Sequence, residues 1–440
     1  MTKFRPITSW IGLCLLAFLL LAAAVFGRGA FAWYLRSEGF RQRIAAAVGH
    51  ALKAEGTFLP LQLVDGTFYS DRFVARGNSG AFFSELQADQ IRAAFNWRGF
   101  FHRTCLIDEL NVQQLIIRFA NRSGAEATPV KVAPQQNRSS ERWKLDLRKA
   151  NVAQSTWTWA TNDGTAGSIT GSSFTLTPSS DSWLIDASSG KLSQTGWPVL
   201  SIESAKLRYT SSSLFVTESV LRTGTGRITL SGEIDFKQAA NLQTQFADVP
   251  VAPLLPPDWR VRLTGKVAGV ASIHAPLSDG SVHVEGHMQL VDGQVEALPL
   301  LDQIATFTRT ERFRRLSLSK ASLSFTRDAK LITAKDIVVE SEGLMRIEGA
   351  CTVVNDQIDG VFQIGVSSAS LQWLPGSQAR VFTIAHDGYF WTPLRLTGPV
   401  AHPNEDLTSR LVAAAAGELL QNSEEAVRDT VKSVLDLIPY

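Results

Sequence analysis

The sequence predicts a mainly β protein, built from antiparallel meanders and tied to a membrane by one N-terminal helix. Three observations carry this. Polar and apolar residues alternate in short runs such as Lys206-Leu207-Arg208-Tyr209, Arg227-Ile228-Thr229-Leu230 and Glu233-Ile234-Asp235-Phe236, so one strand face is buried and the other meets water. Gly, Ser, Asn and Asp clusters break these runs, and no helices intervene at the rhythm a parallel α/β sheet needs. One uncharged apolar run, Ile7 to Phe26, stands apart at the start.

That run holds about 20 residues, which at roughly 1.5 Å each match a hydrocarbon core of roughly 30 Å. Lys3 and Arg5 precede it, so the positive-inside bias keeps the N-terminus cytoplasmic and places the bulk of the chain beyond the membrane. The alternative is a cleaved signal peptide, for which Ala22-Ala23-Ala24 offers small residues. Phe31, Trp33 and Tyr34 follow like an interfacial aromatic belt and favour an uncleaved anchor over residues 1–35.

Composition narrows the function. A formal charge of +2 gives no reason to expect a nucleic-acid partner. The charged fraction of 19% is low for a soluble enzyme. Cys14 lies in the apolar run, which leaves Cys105 and Cys351; two distant cysteines make neither a disulfide framework nor a zinc site, and whether they pair is not readable from sequence.

Residues 36–120 read as an amphipathic helix followed by a first β module. Phe40, Ile44, Val48 and Leu52 recur every four residues, a stripe suited to packing on that module or, alternatively, to lying on a membrane surface. Ile91, Ala93 and Phe95 alternate with polar or small neighbours, Trp97 to Phe101 suits a helical turn, and Leu110, Val112 and Leu115 to Phe119 resume a strand pattern. Residues 121–142 are polar, contain proline and lack large apolar side chains, so they read as a linker or long loop. Residues 143–295 form a β-rich repeat region. Residues 296–403 open with a helix near Leu298 to Phe313, started by Pro299 and striped by Leu300, Leu301, Ile304 and Phe307, and then return to strands. Residues 404–440 are a helical tail, first Leu407 to Leu420, then Ser423 to Leu437 with Ser423 as its N-cap.

An internal repeat supports stacked modules. Ala205 to Tyr209 matches Ala321 to Phe325, and Gly226-Arg227-Ile228-Thr229-Leu230-Ser231-Gly232 matches Gly343-Leu344-Met345-Arg346-Ile347-Glu348-Gly349. With the anchor, the following helix, the block around Leu300 to Ala305 and the closing Leu396-Thr397-Gly398-Pro399, this pattern resembles the AsmA-like proteins of bacterial envelopes. The resemblance covers most of the chain. It implies an elongated, strongly curved antiparallel sheet forming a hydrophobic groove, inner-membrane anchorage with a periplasmic body, and a role in carrying phospholipid toward the outer membrane.

Catalytic chemistry is not expected. Gly77-Asn78-Ser79-Gly80 lacks the glycine spacing of a nucleophile elbow, and no P-loop or dinucleotide fingerprint is present. His283, Glu285 and His287 share a strand face, but histidines roughly 13 Å apart do not hold one ion at about 2 Å. His386-Asp387 precedes Gly388 at a turn. Arg309, Arg312, Arg314 and Arg315 form a basic cluster that suits a solvated helix end or anionic lipid heads. No cofactor and no metal are expected.

The sequence therefore points to a non-enzymatic protein whose groove takes phospholipid or another acyl lipid, with the chains sliding along apolar residues and the head groups in water. Alternation nominates Leu207, Tyr209, Ile228, Leu230, Leu323, Phe325, Met345 and Ile347 as lining. The alternative is a closed β core serving as an envelope assembly scaffold, with envelope partners docking on the C-terminal helices.

Overall fold

A computed structural model describes residues 37–64, 66–78, 81, 83–96, 104–119, 144–160, 165–276, 281–296, 314–371, 377–414 and 416. The anchor, the turn at Trp97 to Phe101, the linker, the Leu298 to Phe313 helix and the Ser423 to Leu437 helix lie outside the described residues. The chain divides into two compact units between Tyr209 and Thr210, within the span 143–295 that alternation alone keeps as one region.

The first unit opens with helix α1 (Glu38–Leu52). The Ser37 hydroxyl accepts the Phe40 N–H at 3.3 Å, and Lys53 ends the helix in the left-handed region with φ 54°. The apolar stripe is used on the sheet: Val48 and Leu52 pack against a core containing Phe73, Leu86 and Ile117, while Phe40 stacks on Phe68 at 5.7 Å. Strands β1 (Ala54–Phe58) and β2 (Gln62–Val64) both pair with β3 (Thr67–Gly77), which pairs with β4 (Phe83–Asn96), and that with β5 (Thr104–Phe119). These strands are longer than the short runs the sequence suggests.

The next step departs from the expected antiparallel order. β5 pairs in parallel with β6 (Lys144–Leu147) and β7 (Ala150–Ala160). A parallel neighbour needs a crossover of a dozen or more residues, and the polar stretch between Phe119 and Lys144 supplies that length. Antiparallel pairing then resumes through β8 (Ala166–Ser179), β9 (Ser182–Ser188), β10 (Lys191–Gln194) and β11 (Leu200–Tyr209). β9 and β10 are arms of one strand, kinked at Ser189 and Gly190, where φ is 59° and 102°.

The second unit is an antiparallel meander: β12 (Ser213–Thr223), β13 (Gly226–Asp235), β14 (Ala239–Pro250), β15 (Leu263–Pro276), β16 (His283–Glu296), the arms β17 (Arg315–Ser317) and β18 (Lys320–Asp328), β19 (Leu331–Ser341), β20 (Met345–Val354) and β21 (Gln357–Ser367). Bulges bend alternate strands. In β14, β16 and β19 the extra residue is an aspartate, Asp248, Asp292 or Asp336, with φ of 54°, 53° or 50°. Aspartate tolerates this left-handed backbone better than the β-branched residues around it.

β21 pairs with β23 (Tyr389–Pro399), whose far side is covered at its ends by β22 (Ile384–His386) and β24 (Asn404–Glu405). Between them Pro393 has no N–H, its carbonyl accepts from Arg410 Nη2, and the Arg395 N–H donates to Asp406 Oδ1 at 2.9 Å. The exposed edge of the strand is thereby occupied.

Helix α2 (residues 407–414) begins where the sequence places the tail helix. The Glu405 carboxylate caps it, accepting from the Leu407 and Thr408 N–H groups at 2.6 and 2.9 Å. Leu407, Leu411 and Ala414 are buried with Leu371 and Phe382 against Met345, Phe362, Ile364 and Leu394. This first part of the tail is thus a cover for the sheet.

The repeat maps onto strands. Its first copy occupies β11 and β13, its second β18 and β20, each pair separated by one strand. The closing glycines share a duty: a Cβ at Gly232 would sit 2.2 Å from the Asn241 carbonyl oxygen, and one at Gly349 2.4 Å from that of Val361.

Candidate functional site

Directly paired residues on antiparallel strands point to the same side of a sheet. The strand register of the second unit therefore defines continuous rows. One row runs Ser219, Leu230, Thr244, Ala271, Gly286, Phe325, Ala334, Cys351, Gly360, Leu396, without a charged residue across ten neighbouring strand positions. The row beside it runs Val216, Gly232, Leu242, Ile273, Val284, Arg327, Ile332, Val353, Ile358, Gly398, with a single charge. On the other side the equivalent positions are polar, as in Ser231, Gln243, Ser272, Glu285, Thr326 and Thr333. One face is predominantly apolar, interrupted by Ser219, Thr244 and Arg327.

Three rings on that face reach over glycines of the neighbouring strands. Phe246, Phe325 and Phe362 stand opposite Gly269, Gly286 and Gly349, and each ring approaches within 2.9, 2.9 and 2.6 Å of the place a Cβ would take. An aromatic ring laid over a glycine fills the gap in the pleat and protects the backbone beneath.

Coverage of the face is graded. At the β20–β23 end, α2 and Phe382 bury it; Ile364 is 0% exposed. From β12 to β18 the cover is partial: Val216, Val249, Val267 and Ala271 are buried, while Leu242, Phe246, Ile273 and Met288 are only half-buried. The first unit repeats the arrangement. Its row Gly56, Ala75, Leu86, Ile117, Trp157, Ile169, Leu192, Leu200 crosses the sheet, buried beneath α1 at Ala75 and Leu86 and half-buried at Ile169 and Leu192.

The eight nominated residues fall into three settings. Leu207 and Tyr209 belong to the first unit, where Leu207 pairs with Ile185 on its half-buried apolar face and Tyr209 is 42% exposed. Ile228, Leu230, Leu323 and Phe325 share the half-buried stretch of the second unit. Met345 and Ile347 sit on the same face at its covered end, Met345 fully buried in the core and Ile347 packed against it. Alternation in Asn241 to Phe246 carried the signal for Leu242 and Phe246, which the nomination missed; Gly286 interrupts the alternation that leads to Met288.

The remaining candidates are accounted for by local structure. His283 Nδ1 lies 2.5 Å from Asp328 Oδ1 on the exposed polar face, and its Nε2 lies 3.9 Å from Glu285. The hydrogen bond to Asp328 raises the His283 pKa above its ordinary 6.5. A raised pKa stabilises the fold below pH 6.5 and that contribution is lost as pH climbs through the folded value. The expected result is a His283 ring titrating above 6.5 by NMR and returning toward it in Asp328→Asn. Among the described residues no group of three His, Cys, Asp or Glu side chains is placed to hold a metal ion. His386 stacks on Trp391 at 4.7 Å, and Asp387-Gly388, with φ of 51° and 79°, is the two-residue turn of the β22–β23 hairpin. Arg315 is paired with Glu296 at 2.7 Å; Arg309 and Arg312 lie outside the described residues. Cys351 is a free, half-buried thiol on the apolar face, and burial pushes its pKa up. Among the described residues no helix is long and apolar enough to cross a membrane, and Ile7 to Phe26 lies outside them.

No family model, no curated protein and no solved structure matches this chain.

Proposed function

We propose that this is a membrane-anchored envelope protein whose apolar sheet faces bind acyl chains and pass phospholipid from the inner membrane toward the outer membrane, as the AsmA-like resemblance implies. The observation that carries the reading is the stretch from β12 to β18: apolar rows continue across bulged strands, and Leu230, Leu242, Phe246, Ile273, Met288 and Phe325 are half-buried where an ordinary core would be sealed. Surface of this kind costs roughly 25 cal/mol per Å² in water, so acyl chains laid on it are stabilised without a catalytic group. The polar opposite face suits an aqueous compartment.

The scaffold alternative draws on the two sealed cores under α1 and α2. The two readings separate on purification. The full chain, extracted in detergent and washed, should carry phospholipid in stoichiometric amounts by mass spectrometry and take up a fluorescent phospholipid from vesicles. A chain that is lipid-free and takes up none supports the scaffold.

A further inference from the structure

The loop joining β14 to β15, residues 251–262, leaves the sheet at Pro250 and returns at Leu263. The register places that end of β15 beside Val295 and Leu316. The opposite end is traced by His274, His283, Asp328, Leu331, Val354, Gln357 and finally Pro399. Val400 follows Pro399 and so belongs to that opposite end. In a flat sheet the two places would be more than about 40 Å apart, from roughly ten residues at 3.3 Å along the strands and six strand steps at 4.8 Å. Yet the Trp259 Nε1–H donates to the Val400 carbonyl at 3.1 Å, and Asp258 lies 3.8 Å from His402. The sheet of this unit must curl, and the core in which Leu316 and Val295 meet Phe362 and Leu394 fixes the direction: the apolar face is inside.

We infer that residues 251–262 are a strap across the mouth of the apolar trough of the second unit, and that an acyl ligand enters or leaves by parting Trp259 from Val400. This rests on the lipid reading of the same face. The strap is built to move as a piece. Pro253, Pro256 and Pro257 stiffen it, Val251 is its buried root with an N–H bonded to the Gly265 carbonyl at 3.1 Å, and Arg262 stacks over the Trp259 ring at 5.9 Å. Its far end is held lightly: one neutral hydrogen bond, and one contact between Asp258 and His402 whose side chains are 52% and 72% exposed. Contacts of that strength restrain a segment without locking it.

The test uses the full chain with Cys14 and Cys105 changed to serine, which leaves Cys351 as the one thiol. Cys351 lies on the apolar face, paired with Gly360 and through it with Leu396, four residues before Val400. Trp259→Phe with His402→Ala removes both attachments and leaves an aromatic ring at 259. Two rates are read: release of a fluorescent phospholipid preloaded from phosphatidylethanolamine vesicles, and alkylation of Cys351 by a maleimide in lipid-free protein. Each is expected to rise about three- to tenfold, the worth of one hydrogen bond, with equilibrium loading within about twofold. Faster alkylation in a chain that binds no lipid would uphold the strap and sink the lipid reading. Unchanged alkylation, or unchanged release from a chain that binds the probe, overturns the strap. A melting temperature lowered by many degrees would also overturn it, marking the bridge as a structural tie.

Discussion

Ile364→Glu is expected to unfold the second unit at neutral pH, while Leu230→Glu leaves it folded and strips it of lipid. Both residues lie on the same apolar face, so the contrast reads its coverage. Ile364 is 0% exposed, enclosed by Leu407, Phe382 and Leu394. A carboxyl placed there has its pKa raised by about 3–5 units, which is roughly 4–7 kcal/mol against the charged form. The sign gives a second check. A carboxyl whose folded pKa is raised carries no ionisation penalty below its unfolded value near 4.3, so the loss should shrink, to the cost of burying a neutral carboxyl, as pH falls toward 4. Leu230 is half-buried between Ser219 and Thr244. There the carboxylate reaches water, and we expect a melting temperature within a few degrees of the parent with lipid loading reduced at least about tenfold. If Leu230→Glu also unfolds the unit, the face is a closed core and the scaffold reading takes over.

Leu407→Ala should cost about 3 kcal/mol of stability in urea denaturation. Deleting buried methyl groups loses transfer free energy and leaves a cavity, typically 2–5 kcal/mol together for leucine. Leu407 is 0% exposed, and the capped first turn of α2 holds it over Met345 and Phe362. A loss below about 0.5 kcal/mol would mean that α2 lifts off its seat in solution. A docking role would then pass to this helix, whose Val412 is 51% exposed.

The strands were legible because their faces differ in polarity. Ile228, Leu230, Leu323 and Phe325 can be set on one surface from alternation alone, and the strand register agrees. The 38–52 helix was equally legible from Phe40, Val48 and Leu52. Three features were not. The parallel β5–β7 pairing follows from a crossover, and alternation is blind to strand direction. The bulges at Asp248, Asp292 and Asp336 slip the period by one residue, which reads in sequence as a flaw in the pattern. The difference between Leu230 and Ile347 depends on what lies above each, and the cover over Ile347 comes from residues some sixty positions away. Core and groove share one alphabet of side chains; only the layer above tells them apart.

The finish of β23 bears on how this protein avoids polymerising. A sheet built by adding one hairpin after another offers, at its last strand, a template for the next chain. Here Arg410 takes the Pro393 carbonyl and Asp406 the Arg395 N–H, between the stretches that β22 and β24 cover, and Pro393 has no N–H to offer. The groups that end the sheet thus sit in and just before α2, the helix that seals the core, so seal and stop are lost together. A chain cut before Asp406 would present bare backbone beside uncovered Leu394 and Ile364. Such a product would grow strand upon strand into insoluble material, a failure of solubility more than of binding.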